Sequence, residues 1–580
     1  MPGPANNAPA ESNAGRGAAP NPAPNPARQP APRQPAPPQP AFRQPRGPAL
    51  REVPLLVLSL GVVGLLALVP AAHAAIMRDA HTAQAFFYAS LLLLTLTTML
   101  AIATQRPARR STAYGQLGAL AGTYAILPFA FALPMLSILR DTTLLNLWFE
   151  MLSSFTTTGA TVYAPDRLPP SAHLWRAMAG WLGGFFVLLA AWAVLAPLNL
   201  GGSEVISGQL PGQSGQPLTS ARGGGAASGT AAPSGHRLSG SFADPRERLI
   251  RVAAAILPVY LGLTFALWLM LLVAGEDGLI ALTQAMGTLS TSGISAGTGR
   301  AVAGSGLAGE VLIFFFLLLA LSRHLMPFEL PGQKRTLLRQ DPEIRLGLFL
   351  IALVVLALML RHLVADASAG SDEGIAALIR AFWGALFTAT SFLTTTGYES
   401  MWWSSARSWA GMGSPGLMLM GLAIIGGGVA TTAGGVTLLR VWALWLQGRR
   451  ELEKIIHPHS IGSGGAANRR LGMRGAWFAW IFFMLFSISV ALVTAVLTVF
   501  GLRFEEALIF CLSALTTTGQ LAWLAGEEPL SWAGLSDPVK VILGLTMVLG
   551  RLETLALIAL LAPGNWRGRG GRHLSGKHRG

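Results

Sequence analysis

Four short segments of the chain read almost alike: SSFTTTG at 153–159, GTLSTSG at 287–293, SFLTTTG at 391–397 and SALTTTG at 513–519. Each follows a moderately apolar stretch, such as EEALIFCL before the fourth, shorter than the roughly twenty residues needed to cross a bilayer. Each also stands between two apolar runs that are long enough to cross one. The repeated unit is therefore a span, a short helix, a Thr-Gly loop and a second span, and it occurs four times. Two further spans precede the first copy.

Working outward, the composition agrees with that unit. Of the 580 residues 52% are hydrophobic and 12% charged, against about a quarter charged in soluble proteins. The apolar runs are continuous rather than alternating, which predicts helices and not barrel strands. Ten spans are expected, at 54–74, 82–104, 112–139, 174–198, 249–274, 307–326, 346–364, 413–446, 476–500 and 539–562. With the N-terminus in the cytoplasm, most of the 42 Lys and Arg fall on that side and most of the 27 Asp and Glu on the other. The net charge of +15 is then a topology signal, the positive-inside bias, and not a sign of nucleic-acid binding.

The expected organisation follows. Residues 1–52 form a Pro/Ala/Arg-rich cytoplasmic tail of disordered composition, and 53–105 hold the two leading helices. Repeat one covers 112–200, a Gly/Ser-rich flexible linker 201–245, repeat two 246–330, repeat three 345–447 and repeat four 474–563. A basic cytoplasmic tail fills 564–580.

Non-helical backbone at membrane depth is tolerated only where protein buries it or where it lines a water-filled path. A re-entrant short helix followed by a glycine turn meets that demand. Its carbonyl oxygens can face an axis and replace the hydration shell of a cation, with Thr and Ser hydroxyls in the same lining. Glycine allows backbone angles a side chain would forbid, and each short helix aims the negative end of its dipole at the centre. A helix C-cap would explain one such loop; four in equivalent places point to one shared pore.

The eighth expected span, 413–446, is too long for a simple crossing and contains GGGVATTAGG at 426–435. Gly426, Gly427, Gly428, Gly434 and Gly435 each weaken a helix by up to about 1 kcal/mol relative to alanine. Close packing between helices through small residues is one reading; a broken helix whose loop obstructs the pore is the other. Arg551 lies mid-span in the last apolar run. An arginine there costs about 2.5–3.5 kcal/mol on insertion scales, so it needs a partner. Glu553, two residues on, is off its helix face, which leaves the carbonyls of the glycine loop as the better candidates.

These features together resemble the Trk/Ktr/HKT superfamily of potassium transporters, and its TrkH branch most. The likeness runs over nearly all of 50–563 and includes WLGGFFVLLAAWAVLAPLNLGG at 181–202, GGGVATTAGGVTLLR at 426–440 and GRLETLALIALLAP at 550–563. The resemblance implies an all-α polytopic membrane fold, with four tandem repeats around a pseudo-fourfold pore, and potassium uptake through it. It places the ion-binding filter on Thr156, Thr157, Thr158 and Gly159; on Ser290, Thr291, Ser292 and Gly293; on Thr394, Thr395, Thr396 and Gly397; and on Thr516, Thr517, Thr518 and Gly519. It favours the loop reading of 426–435, with Thr431, Thr432 and Arg551 in the gate. It implies a homodimer in the bacterial inner membrane, both termini cytoplasmic, and a cytoplasmic nucleotide-binding TrkA-like regulatory subunit. Potassium is then the substrate, and no covalently bound cofactor is expected. The second loop departs from the pattern with Ser290 and Ser292, and the fourth with its continuation TTTGQLAW.

Other classes lack support. No span carries arginine at every third position, so a voltage sensor is absent. The four units run in one direction, unlike inverted transporter repeats. No nucleophile constellation, ligand cluster or phosphate loop suggests an enzyme. Cys511, the single cysteine, reads as a small apolar residue in a short helix, and His457 and His459 as part of a surface loop. Glu150, Asp166, Glu399, Glu505, Glu506, Glu527 and Glu528 could draw cations to the outer mouth, although most are expected to be solvated and none is assigned a specific role.

Overall fold

The computed structural model describes residues 54–104, 113–198, 200, 202, 245–297, 304–327, 341–366, 375–409, 416–457, 473–526 and 528–552. The tail 1–52, nearly all of the 201–245 linker, His459, the tail 564–580 and the second half of the last expected span lie outside the described residues.

The regular elements among the described residues are all helices. Eight are long and apolar enough to cross a membrane, and the chain is a multi-pass membrane protein. Helices α1 (Leu55–Leu66) and α2 (Leu68–Ile76) pack on α3 (Ala80–Ala103). The Asp79 side chain accepts the Thr82 amide at 3.1 Å to cap α3.

The four units follow. The first is α4 (Ala113–Ile138), α5 (Leu144–Phe155) and α6 (Pro170–Ala190). The second is α7 (Pro245–Val273), α8 (Gly278–Leu289) and α9 (Gly306–Leu317), prolonged by a 3-10 turn over Leu318–Leu321. The third is α10 (Pro342–Asp366), α11 (Ile375–Leu393), α12 (Trp403–Trp409), α13 (Gly416–Ile425) and α14 (Leu438–Ile456). The fourth is α15 (Met473–Val499), α16 (Phe504–Leu515), α17 (Leu521–Leu524) and α18 (Asp537–Leu552).

The short helices α5, α8 and α16 have 12 residues each. The third, α11, has 19 and meets the length and hydropathy of a span, longer than the sequence suggested. No proline stops IAALIRAFWGALFTATSFL. Its first turns carry exposed Ile375 and Ile379, and only the later turns are buried. The expected eighth span is interrupted: helix stops at Ile425 and resumes at Leu438.

The units pack in a cycle. Helix α6 lies on α8, α9 on α11, α13 on α17 and α18 on α5. Each outgoing helix thus braces the short-helix region of the next unit, and the fourth braces the first.

Candidate functional site

The four Thr-Gly loops share one construction. The first hydroxyl of each donates to the carbonyl four residues back: Thr156 to Leu152 at 2.8 Å, Ser290 to Met286 at 2.7 Å, Thr394 to Thr390 at 3.0 Å and Thr516 to Leu512 at 2.8 Å. The third amide donates five residues back: Thr158 to Ser153, Ser292 to Gly287, Thr396 to Ser391 and Thr518 to Ser513, at 2.8 to 2.9 Å. First and third hydroxyls meet at 2.9, 2.9, 3.1 and 3.3 Å in chain order. These bonds satisfy the carbonyls that end each short helix, which otherwise lack partners. Between them Thr157, Thr291, Thr395 and Thr517 stand at φ of 52 to 56°. That left-handed region is costly for a β-branched residue and persists only where surroundings over-determine it.

Serine serves the second loop because only the hydroxyl is needed there and space is short. A Cβ on Gly184 of α6 would lie 2.7 Å from the Ser290 Cβ, and one on Gly180 would lie 3.1 Å from the Ser292 Oγ.

The loops meet one another in order. A Cβ on Gly159 would fall 2.1 Å from the Ser292 carbonyl oxygen, and one on Gly293 2.1 Å from that of Thr396. One on Gly397 would approach the Thr518 Cγ2 at 3.3 Å, and one on Gly519 would come within 2.7 Å of the Thr158 oxygen. The Gly519 amide donates to that same Thr158 oxygen at 2.7 Å and closes the ring. Gly159, Gly293 and Gly397 also have φ of 73, 62 and 79°, which favours glycine at all three, and at Gly159 and Gly293 the backbone contact excludes a Cβ as well. A cavity of about 540 Å³ opens at the glycine end, with Tyr163, Glu399, Trp523 and Trp532 among its lining.

The glycine-rich segment crosses the threonine end. Thr432 donates its hydroxyl to Leu289 at 3.2 Å, and its carbonyl accepts the Thr291 hydroxyl at 2.8 Å. The Gly434 amide donates to Thr395 Oγ1 at 2.8 Å, and a Cβ there would lie 2.5 Å from both Thr516 O and Thr517 Oγ1. Arg551 completes the circuit, donating Nε to the Thr156 carbonyl and Nη1 to the Thr432 carbonyl, each at 2.7 Å. Several of the segment's own backbone amides find partners, as membrane depth demands. Val436 and Thr437 amides donate to Ile424 and Ile425, Leu438 to Gly427 and Gly428 to Ala320, while Glu343 accepts the Val429 amide at 2.9 Å. A small cavity of about 50 Å³ lies against Gly428, Thr431, Gly434, Gly435 and Arg551.

Comparison with known proteins bears on this arrangement. The TrkH family, described as a cation transport protein, matches residues 314–566. The Trk system potassium uptake protein TrkH of Vibrio parahaemolyticus is 27% identical over 72% of this chain and 79% of its own length. That of Escherichia coli K12 is 26% identical over 77% and 83%. The crystal structure of the potassium transporter TrkH from Vibrio parahaemolyticus superposes with a TM-score of 0.69 at 24% identity, covering 89% of this chain and all of that one. The chain is similar to TrkH proteins and shares their fold.

Within this TrkH-like framework several side chains do work that was not legible in the sequence. Glu150, fully buried in α5, pairs with Arg176 of α6 at 2.6 Å and accepts the Val162 amide at 2.8 Å. Glu310 of α9 is buried too, and accepts from Trp383 Nε1, the Ser400 hydroxyl and the Met401 amide. Both carboxylates tie down the chain just after a Thr-Gly loop. Their signal in the sequence was an acid inside an otherwise apolar helix. Glu505 and Asp166 are exposed, in keeping with solvated faces.

Proposed function

We propose that the chain takes up potassium across the bacterial cytoplasmic membrane through a gated pore centred on the ring of Thr-Gly loops. The observation that carries this reading is the ring itself: loop one touches loop two, two touches three, three touches four, and Gly519 donates back to Thr158. Loops that close on one another enclose one axis. Carbonyl and hydroxyl oxygens of residues 156–159, 290–293, 394–397 and 516–519 would replace the water around a dehydrated cation. The short helices α5, α8, α11 and α16 end at the ring, and their C-terminal dipoles favour a positive charge there. Membrane potential supplies the driving force, about 2.3 kcal/mol per charge for each 100 mV.

The 426–437 segment and Arg551 are the gate in this reading. The segment crosses the path, and the guanidinium sets a positive charge beside it. The functional unit is a homodimer with both termini cytoplasmic, and it answers to a soluble nucleotide-binding TrkA-like subunit. The exposed charged end of α14, where Arg449 pairs with Glu453 and Lys454 with Glu451, is the docking surface on that side in this reading.

The test is ion flux in proteoliposomes holding the purified chain, with a potassium or sodium gradient and no other driving ion. Potassium flux that follows its own gradient and the imposed potential, above sodium flux, is expected. Flux that needs a second ion gradient would replace the gated pore with a coupled carrier.

A further inference from the structure

The fourth loop does not leave the ring as the other three do. After Gly159, Gly293 and Gly397, all at positive φ, the chain runs on without helix; Gly519 is not in the left-handed region, and the chain turns at once into α17. Its carbonyl accepts the indole Nε1 of Trp532 at 3.2 Å, so a protein donor already holds the oxygen that should complete the glycine layer. The same turn carries the side chain of Gln520 back across the ring.

Gln520 then meets all three other glycines. Its Nε2 donates to the Gly293 carbonyl at 3.1 Å. Its Oε1 lies 3.3 Å from where a Cβ on Gly159 would stand and 3.5 Å from one on Gly397. That oxygen is buried and has no hydrogen-bond partner among the described residues. The amide cannot be reversed, because an oxygen would then face the Gly293 oxygen and the donor would be lost. A buried acceptor without a partner is costly, and in a native structure it asks for an unseen water or ion. Here it sits between the ring and the large cavity, where a cation would first shed water.

We propose that the side-chain oxygen of Gln520 is a cation ligand that forms the outermost ion site of the ring, in place of the Gly519 carbonyl turned away to Trp532. The ligand is a dehydrated monovalent cation of potassium size. This rests on the pore reading, and the experiment separates the two.

Potassium flux is measured against external potassium for the full-length chain, Gln520→Met and Gln520→Glu, with Gly397→Ser alongside. Methionine keeps the length and loses the oxygen. It should raise the half-saturating potassium about tenfold, equivalent to about 1.4 kcal/mol of site affinity. Glutamate keeps the ligand oxygen and adds charge at the cation while giving up the Nε2 bond to Gly293, so external barium should block more strongly than in the parent. Thallium soaked into crystals of the parent should give anomalous density within coordination distance of Gln520 Oε1. If Gln520→Met does not fold, Gln520→Asn, which withdraws the oxygen by one methylene, takes its place in the same assay.

Unchanged half-saturation in the folded Met or Asn variant, with altered ion preference in Gly397→Ser, overturns the ligand role and leaves the pore standing. Higher maximal flux at unchanged half-saturation shows a mere obstruction and also overturns it. Potassium and sodium fluxes untouched by either substitution overturn the pore reading itself.

Discussion

The guanidinium of Arg551 holds the carbonyl of Thr432 at 2.7 Å across 119 residues of sequence. The same carbonyl accepts the Thr291 hydroxyl, so one oxygen ties the last described helix, the glycine-rich segment and the second Thr-Gly loop together. Hydrogen bonds to a charged donor are worth about 1.5–3 kcal/mol each, enough to bias a short segment between two positions. Arg551→Ala is therefore expected to raise potassium flux per molecule several-fold, with the purified protein still folded. Removing residues 427–433 should act in the same direction. Combining the two should add little, because both changes act on one barrier. Flux per molecule in proteoliposomes checks this, and a fall in a folded Arg551→Ala protein would make the arginine an anchor only.

The ring glycines differ in what a side chain would strike. At Gly397 a Cβ would meet the Gln520 Cβ at 3.0 Å, a side chain able to give way, whereas at Gly159 and Gly293 it would meet a carbonyl at 2.1 Å. Gly397→Ser should fold and narrow the preference for potassium over sodium. Gly159→Ala and Gly293→Ala should lose folded protein. Size-exclusion profiles in detergent, read beside the two ion fluxes, distinguish these outcomes.

Ser290 is expected to resist change in both directions. Ser290→Ala loses the hydroxyl bond to Met286, about 1 kcal/mol. Ser290→Thr keeps the hydroxyl but presses a methyl towards Gly184, an overpacking cost of about 1–3 kcal/mol. Both should lower the melting temperature in detergent. A Ser290→Thr protein as stable as the parent would refute the packing account of why the second loop carries serine.

The buried pair of Glu150 and Arg176 should show a non-additive pattern. Glu150→Gln or Arg176→Met alone strands a buried charge or weakens its partner, at a cost of about 3–5 kcal/mol. The double substitution removes both charges and should recover part of that loss. Melting temperatures of the three variants test it; strictly additive losses would mean the two side chains act independently.

The parts of this architecture that could be read from sequence are those made by local chemistry. Thr-Gly at the end of a short apolar helix announces its own turn, and five glycines in ten residues announce a break at 426–435, which the structure carries on to Thr437. The depth of Arg551 called for a carbonyl partner, and the Thr432 oxygen answers it. What escaped reading depends on partners distant in sequence. Nothing local to Glu150 points to Arg176, and nothing in TTTGQLAW shows that Trp532 will take the Gly519 carbonyl and swing Gln520 across the ring. The extra turns of α11 escaped for the opposite reason: an apolar helix former extends wherever nothing stops it, and length alone does not reveal which turns will be buried.

The cyclic bracing has a consequence for biosynthesis. Arg551 and Thr156 are partners 395 residues apart, and the outgoing helix of the fourth unit supports the short helix of the first. A ribosome delivers the first unit long before the last. Until the final helix is inserted, three re-entrant loops stand in the membrane with one flank of their enclosure open. The nascent chain therefore needs something to shield that flank, such as an insertase groove or a second copy arriving in parallel. A stop codon upstream of the fourth loop should yield a species destined for membrane proteolysis rather than a smaller, leakier conduit.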